Sequence, residues 1–383
     1  MQNKKQNFYC GFWNYTFCGA LDAKKAAKDW KELGMNLGMS SIYNEKDDKQ
    51  VILDQLNEAQ KNGVKLIICD WRTVWRNLQN GREEYIRLAE EAIADFGNHP
   101  AFYAFSVGDE PPRRELEQAI EAVKIINAHS NAFLNFLPMA DEPFVSDYLL
   151  KEKHEYKDVL IDAVKRSGLR NVCYDNYTQC RIKDREYGLN MYFDNLRIYR
   201  ETAKECGVDM WTTLLSVGHW FYRVPTEDDI RWQISTAAAH GAKGLLWFFL
   251  YTRSKIEDNY RDAPIDWFYN RTETFGRMAR QINLFMKFYA DRFAEAELKN
   301  VYHVNTAYGG NELYKNGSIE NFEFSSEYGN DFIVSEFSSP RGDFVAVVNN
   351  SQAADGSDRA FGVYGDKKFS LWLAPGQLWI VEK

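Results

Sequence analysis

The 383-residue chain has few of the residues that announce a metal or a cofactor. Its 6 histidines (His99, His129, His154, His219, His240 and His303) form no H-E-x-x-H or H-x-H grouping. A multi-histidine catalytic metal site is therefore not expected. The 6 cysteines (Cys10, Cys18, Cys69, Cys173, Cys180 and Cys206) include no C-x-x-C pair, which argues against zinc ribbons and thioredoxin-like motifs. They read as reduced thiols, with a Cys173–Cys180 bridge left open. No G-x-G-x-x-G or P-loop is present to cradle phosphates, so no cofactor is expected. No G-x-S-x-G marks a serine nucleophile. Apolar runs stay short of the roughly 18 residues that cross a bilayer, and no membrane span is expected. Positive charge is also in short supply. Lys and Arg total 47 against 55 Asp and Glu, a net charge of −8, which argues against a nucleic-acid partner. The opening Met1-Gln-Asn-Lys-Lys-Gln-Asn7 lacks the apolar stretch of a signal peptide. A chain whose leader had been removed would begin in the same way. The protein is then secreted or periplasmic, and otherwise cytoplasmic.

Aromatic residues are abundant: 11 Trp, 22 Tyr and 25 Phe make up 15 % of the chain. Hydrophobic and charged residues, at 45 % and 27 %, are ordinary for a globular protein. Part of the aromatic excess fills a core, and part suits stacking against sugar rings.

Short apolar runs begin near Phe8, Met35, Val64, Ala101, Ala132, Asn171, Val208 and Gly244, each followed by a polar, helix-periodic segment. Their spacing of 27 to 39 residues holds a strand, a helix and two loops, and is too long for a hairpin. Eight strands alternating with helices predict an α/β chain whose parallel sheet closes as a (β/α)8 TIM barrel. From Val301 onward the period changes. Short alternating strands such as Asp343-Phe-Val-Ala-Val-Val348 are separated by Gly, Asn and Asp turns, which predicts a C-terminal antiparallel β-sandwich. The expected division is a barrel over 1–295 and a sandwich over 296–383.

The barrel run Ala101-Phe-Tyr-Ala-Phe-Ser-Val-Gly-Asp-Glu-Pro-Pro112 ends in two carboxylates and two prolines. Proline cannot donate to a strand ladder, so Asp109 and Glu110 fall at the carboxyl end of a buried strand. Barrel active sites lie at that end of the strands. The other strand ends supply Trp13 and Asn14; Tyr43 and Asn44; Asp70, Trp71 and Arg72; Met139 and Asp141; Asp175, Asn176 and Tyr177; His219 and Trp220; Tyr251 and Arg253. Carboxylates and amides read hydroxyls, and flat aromatic faces bind the C–H faces of pyranose rings. The set suits a sugar, with Trp13, Tyr43, Trp71, Tyr177, His219, Trp220 and Trp247 as candidates to line the subsites.

Glycosidic hydrolysis needs two carboxyls, one protonated and one ionised. Glu110 is the candidate acid, because the like charge of Asp109 pushes one pKa upward and keeps a proton in place near neutrality. The bland alternative makes Asp109 a helix cap and Glu110 half of a surface ion pair.

These residues resemble the clan-A glycoside hydrolases, whose fourth strand ends Asn-Glu-Pro with Glu as acid/base; here Gly108-Asp-Glu-Pro111 occupies that place. Arg223-Val-Pro-Thr-Glu227, Ala237-Ala-Ala-His-Gly-Ala-Lys-Gly-Leu-Leu-Trp-Phe248 and Ala263-Pro-Ile-Asp266 are similar to segments of family 42 β-galactosidases. The terminal region ending Leu373-Ala-Pro-Gly376 is similar to sandwich domains that follow such barrels. The resemblance implies a glycosidase. It also implies a nucleophilic Glu at the end of the seventh strand, where this chain reads Leu214-Leu-Ser-Val-Gly-His219 with no carboxylate. Asp175 is the nearest replacement, with Asp109 or a loop carboxylate such as Glu257 or Asp258 as alternatives. Without a seventh-strand Glu, the expected Glu110–Asp175 gap is the wide one of inverting enzymes.

The reading is a glycosidase acting on a plant or microbial oligo- or polysaccharide. Its rival is a carbohydrate-binding protein on the same scaffold that has lost catalysis. A sugar isomerase or lyase would need a metal cluster or a Lys base at the strand ends, and neither is visible.

Overall fold

The computed structural model describes residues 7–138, 153–182, 185–252 and 259–383. Eight strands form one parallel sheet: Tyr9–Phe12, Leu37–Met39, Lys65–Ile68, Phe102–Asp109, Ala132–Phe136, Asn171–Asp175, Asp209–Leu215 and Gly244–Phe248. From the second to the eighth, each pairs with its sequence neighbour, and the eighth pairs with the first, while the first and second share no regular ladder. Between the first and second strands the Asn36 N–H donates to Cys10 O at 3.1 Å, and Phe17 bridges Ile42 beyond their ends. The sheet is a nearly closed TIM barrel.

Side-chain alternation on these strands explains why the runs are apolar throughout. Inward positions such as Leu37, Ile67, Ala104, Phe133, Cys173, Trp211 and Leu246 fill the barrel interior. The alternate positions, among them Phe12, Ile68, Phe105, Leu134, Tyr174 and Trp247, meet the surrounding helices. Gly244 is needed because a Cβ there would lie 2.3 Å from the Trp211 ring across the ladder.

Two of the barrel helices show clear side-chain caps. Asp22 accepts the Lys25 N–H at 2.8 Å in front of Ala23–Glu32. Thr226 and Asp229 form a capping box on Glu227–Ala239. Among the described residues no helix is long and apolar enough to cross a membrane.

After the short helix Ala290–Glu295 the chain becomes a sandwich. A mostly antiparallel five-stranded sheet contains Glu297–Val304, Phe332–Ser338, Phe344–Asn349 and Leu378–Glu382, and a three-stranded sheet contains Phe322–Ser326, Asp358–Tyr364 and Lys367–Leu373. Phe332, Val334, Val345 and Val347 face the smaller sheet. Ile333, Phe337, Phe344 and Ala346 join the core of the barrel helices. The central strands are therefore covered on both faces, which accounts for the unbroken apolar run of Phe344–Asn349. The Trp232 indole donates to Asn350 Oδ1 at 2.9 Å across this junction, and Gly376 lies so close to Trp232 that a Cβ would sit 2.5 Å from its backbone.

Candidate active site

The fourth strand does not reach the mouth as a regular ladder. Its register with the fifth strand shifts between Ser106 and Gly108, and such a bulge re-aims the side chains that follow. Gly108 has φ 146°, and a Cβ on it would fall 1.8 Å from the Trp75 ring. No other residue fits there. Two positions on, Glu110 has φ 47°, a left-handed conformation that a non-glycine residue adopts at a cost. The Glu110 N–H donates to Asn135 O at 2.9 Å and holds this turn against the fifth strand.

Asn135 joins the site together. Its Nδ2 donates to Asp109 Oδ1 at 3.0 Å and to Asp175 Oδ1 at 3.0 Å, bridging the fourth and sixth strands. The Tyr177 hydroxyl donates to the other Asp175 oxygen, Oδ2, at 3.0 Å. Glu110 hydrogen-bonds the Asp175 carboxylate directly. Three carboxyls from two strands thus share one cluster, and the sequence-predicted Asp109, Glu110, Asp175 and Tyr177 are brought together.

The electrostatics follow from that crowding. Burial, then the charge and hydrogen bond of Asp175, then the charge of Asp109, hold Glu110 far above the ordinary carboxyl range. Burial and the Asp175 charge raise Asp109 to about 7, partly offset by the Asn135 hydrogen bond. Asp109 is exposed at the mouth, although desolvation is the first cause of its shift. Glu110 is the group that keeps its proton.

The cap alternative does not hold. Asp109 accepts from Asn135, whereas the helical segments that follow, Arg113–Glu115 and Leu116–Asn127, have no side-chain cap bond. The wide gap expected between Glu110 and Asp175 is also corrected, because the two carboxyls are in hydrogen-bond contact. The bulge at Gly108 and the Asn135 bridge draw them together. Cys173 is a buried free thiol, so it forms no bridge to Cys180.

His219 joins the cluster through rings. It packs on Tyr177 (6.2 Å between centroids), Phe248 (5.1 Å) and Trp220 (5.2 Å). Its Nδ1–H donates to Val217 O at 3.1 Å, and burial lowers its pKa, so the ring is neutral. Trp13 lies in the barrel interior, its indole donating to Thr213 Oγ1 at 3.1 Å and its ring stacked with Tyr15 (6.3 Å, 16°).

Three expected subsite residues are placed elsewhere. Trp247 is fully buried on the helix side, because it alternates with the inward Leu246 and Phe248. Tyr43 packs edge-on against Phe96 and under the Arg72 guanidinium in the same outer layer. Trp71 begins the turn Trp71–Thr73 and leans on that layer too. Met139, Asp141, Arg253, Glu257 and Asp258 lie outside the described residues. Sequence reading passed over Asn135, whose signal was a lone amide inside the apolar Ala132–Phe136 strand, and the mouth aromatics Tyr15 and Phe248.

A cleft of about 610 Å³ opens elsewhere than at this mouth. It lies between the helix Leu189–Cys206, the amino ends of the seventh and eighth strands and the strand Glu297–Val304. That end of a barrel serves stability, so the carboxyl cluster takes precedence.

Neither a protein-family model nor a curated protein sequence matches the chain. Solved structures do. One, a glycoside hydrolase, aligns with a TM-score of 0.59 and 12 % identity over 98 % of this chain and 92 % of its own. The β-galactosidase from Rahnella sp. R3 aligns at 0.56 and 11 % identity over 78 % of this chain and 58 % of its own. The endo-β-1,4-mannanase from Thermotoga petrophila aligns at 0.50 and 12 % identity over 97 % and 98 %. The fold is theirs. The chain spans about three-fifths of the β-galactosidases it matches, and nearly all of the other two.

Proposed function

We propose that the chain is a glycoside hydrolase in which Glu110 is the general acid and Asp175 the second carboxylate. The observation that carries this is the contact between a carboxyl held protonated and a second carboxylate steadied by Asn135 and Tyr177, at the carboxyl end of a barrel. A protonated Glu110 can give its proton to the leaving oxygen, while Asp175 stabilises or attacks the anomeric carbon. A hydrogen bond between the two carboxyls fits a close pair better than one parted by a water. That favours the retaining arrangement, with Asp175 as nucleophile, over the inverting one. Asp109 sets the proton affinity of the pair by its charge.

The β-galactosidase and endo-β-1,4-mannanase among the structural neighbours suggest the first substrates to try, β-galactosides and β-1,4-mannans. A screen of aryl glycosides and oligosaccharides, with NMR of the first-formed anomer, tests both parts. A retained configuration supports Asp175 as nucleophile, and an inverted one excludes it. One observation favours the rival reading: the seventh strand ends at Leu215-Ser216-Val217 without a carboxylate. Glycan binding without turnover of any substrate would establish that carbohydrate-binding protein instead.

A further inference from the structure

Trp220 and Phe221 form the tip of a tight hairpin at the end of the seventh strand. His219 and Tyr222 close it with two backbone bonds, His219 N–H to Tyr222 O at 3.1 Å and Tyr222 N–H to His219 O at 2.7 Å. Two-residue turns of this kind need positive φ and take Gly or Asn by preference. Here the positive φ, 46°, belongs to Trp220. Neither side chain gains burial in return, since Trp220 is 67 % and Phe221 55 % exposed.

The turn is braced from behind. Gly218 and Arg261 exchange two backbone bonds of 3.0 and 2.7 Å, and the Arg223 N–H donates to Gln179 O at 2.8 Å. The Trp220 N–H itself donates to Asn259 Oδ1 at 2.8 Å. A rigid, strained turn that holds two aromatics in solvent is not what folding selects; glycine would be less strained in the first position. Lone exposed aromatics need no explanation, but this one continues the site. Its ring packs on His219, His219 on Tyr177, and the Tyr177 hydroxyl bonds Asp175.

We infer that the Trp220–Phe221 turn is a stacking platform for sugar units beyond the one held at the carboxyl pair, so that the substrate is a sugar chain. This rests on the carbohydrate reading of the mouth. The electron-rich indole face attracts the polarised C–H groups on one side of a pyranose. Two rings, Tyr177 and His219, separate Trp220 from Asp175. A unit on Trp220 is therefore not the unit attacked at Asp175, but another along the same chain.

The test compares wild type, Trp220→Gly and Trp220→Tyr on an aryl monoglycoside and on oligosaccharides of increasing length, together with binding of the longest oligosaccharide by calorimetry. Trp220→Gly relieves the positive φ, so its Tm should equal or exceed that of wild type. Its KM and Kd should worsen with chain length, by about tenfold more for the longest chain than for the monoglycoside. Trp220→Tyr should recover most of the difference. A loss independent of length, or no loss, overturns the platform while leaving the glycosidase reading in place. A marked drop in Tm for Trp220→Gly also overturns it, because the indole would then serve the fold. If wild type neither cleaves nor binds any glycan on an array, the carbohydrate reading fails and the platform fails with it.

Discussion

The Glu110 carboxyl hydrogen-bonds the Asp175 carboxylate although the strands that carry them are not neighbours. The fifth strand lies between, and its Asn135 steadies both Asp109 and Asp175 from the floor. The site is thus a compact acid cluster, and its proton content is linked to the stability of the fold.

Glu110→Gln keeps the shape and removes the acid. Turnover of an unactivated glycoside should fall by about a hundredfold or more. Stability should move the other way. The folded-state pKa of Glu110 is raised, so the native protein holds a proton that the unfolded chain releases above the ordinary Glu range. The associated stability is full below about pH 4 and is lost as pH rises. The variant should therefore melt higher than wild type at pH 7, with the gap closing toward acid. A lower Tm for the variant at neutral pH in scanning calorimetry would count against the buried, protonated Glu110.

Asp109→Asn removes a charge that raises the Glu110 pKa. The alkaline limb of kcat/KM against pH should consequently shift to lower pH, since the acid loses its proton more readily. An unmoved limb, or one moved upward, would show that Asp109 does not tune the acid.

Gly108→Ala tests the geometry of the bulge. The added methyl would overlap the Trp75 ring, and the φ of 146° disfavours any side chain. A stability loss of about 3 kcal/mol is expected from overpacking and strain together. Activity should fall with it, because Asp109 and Glu110 follow directly. Denaturant titration measures the first and turnover the second, and a neutral substitution would mean that the bulge is not required.

His240 and His303 meet between barrel and sandwich with Nε2 atoms 3.4 Å apart. His240 Nδ1 faces Thr236 O at 2.8 Å and must carry its proton there, leaving Nε2 bare. His303 Nδ1 accepts the Tyr308 N–H at 3.3 Å, so its proton is on Nε2 and points at His240. Each ring has room for one proton. Burial and the nearby Arg200 charge lower both pKa values, His240 well below the usual range and His303 to about 4, with the His303 charge adding to the effect on His240. The unfolded chain binds protons below about pH 6.5 that the folded one refuses, so this pair costs stability progressively as pH falls toward 4. His303→Gln should lower Tm at pH 7 but lose less on going from pH 6.5 to 4. Parallel Tm curves for the two proteins would refute the locked pair.

The barrel and the sandwich were legible because strand and helix periods are local. Runs such as Gly244–Phe248 or Phe344–Asn349 are apolar at every position because both faces of their sheets are covered. The carboxylates of the mouth were legible as well, since Pro111 ends the strand immediately after Asp109 and Glu110. Local pattern records whether a side chain is buried, but not toward which neighbour. Trp247 therefore looked like Trp13, although alternation turns one to the helices and the other to the interior. Asn135 was hidden for the same reason, one amide in a core strand whose partners lie on the strands to either side. The closeness of Glu110 and Asp175 depends on the bulge at Gly108, the Trp75 ring that requires glycine there, and the register of three strands. Those are long-range contacts, and only the tertiary structure decides them.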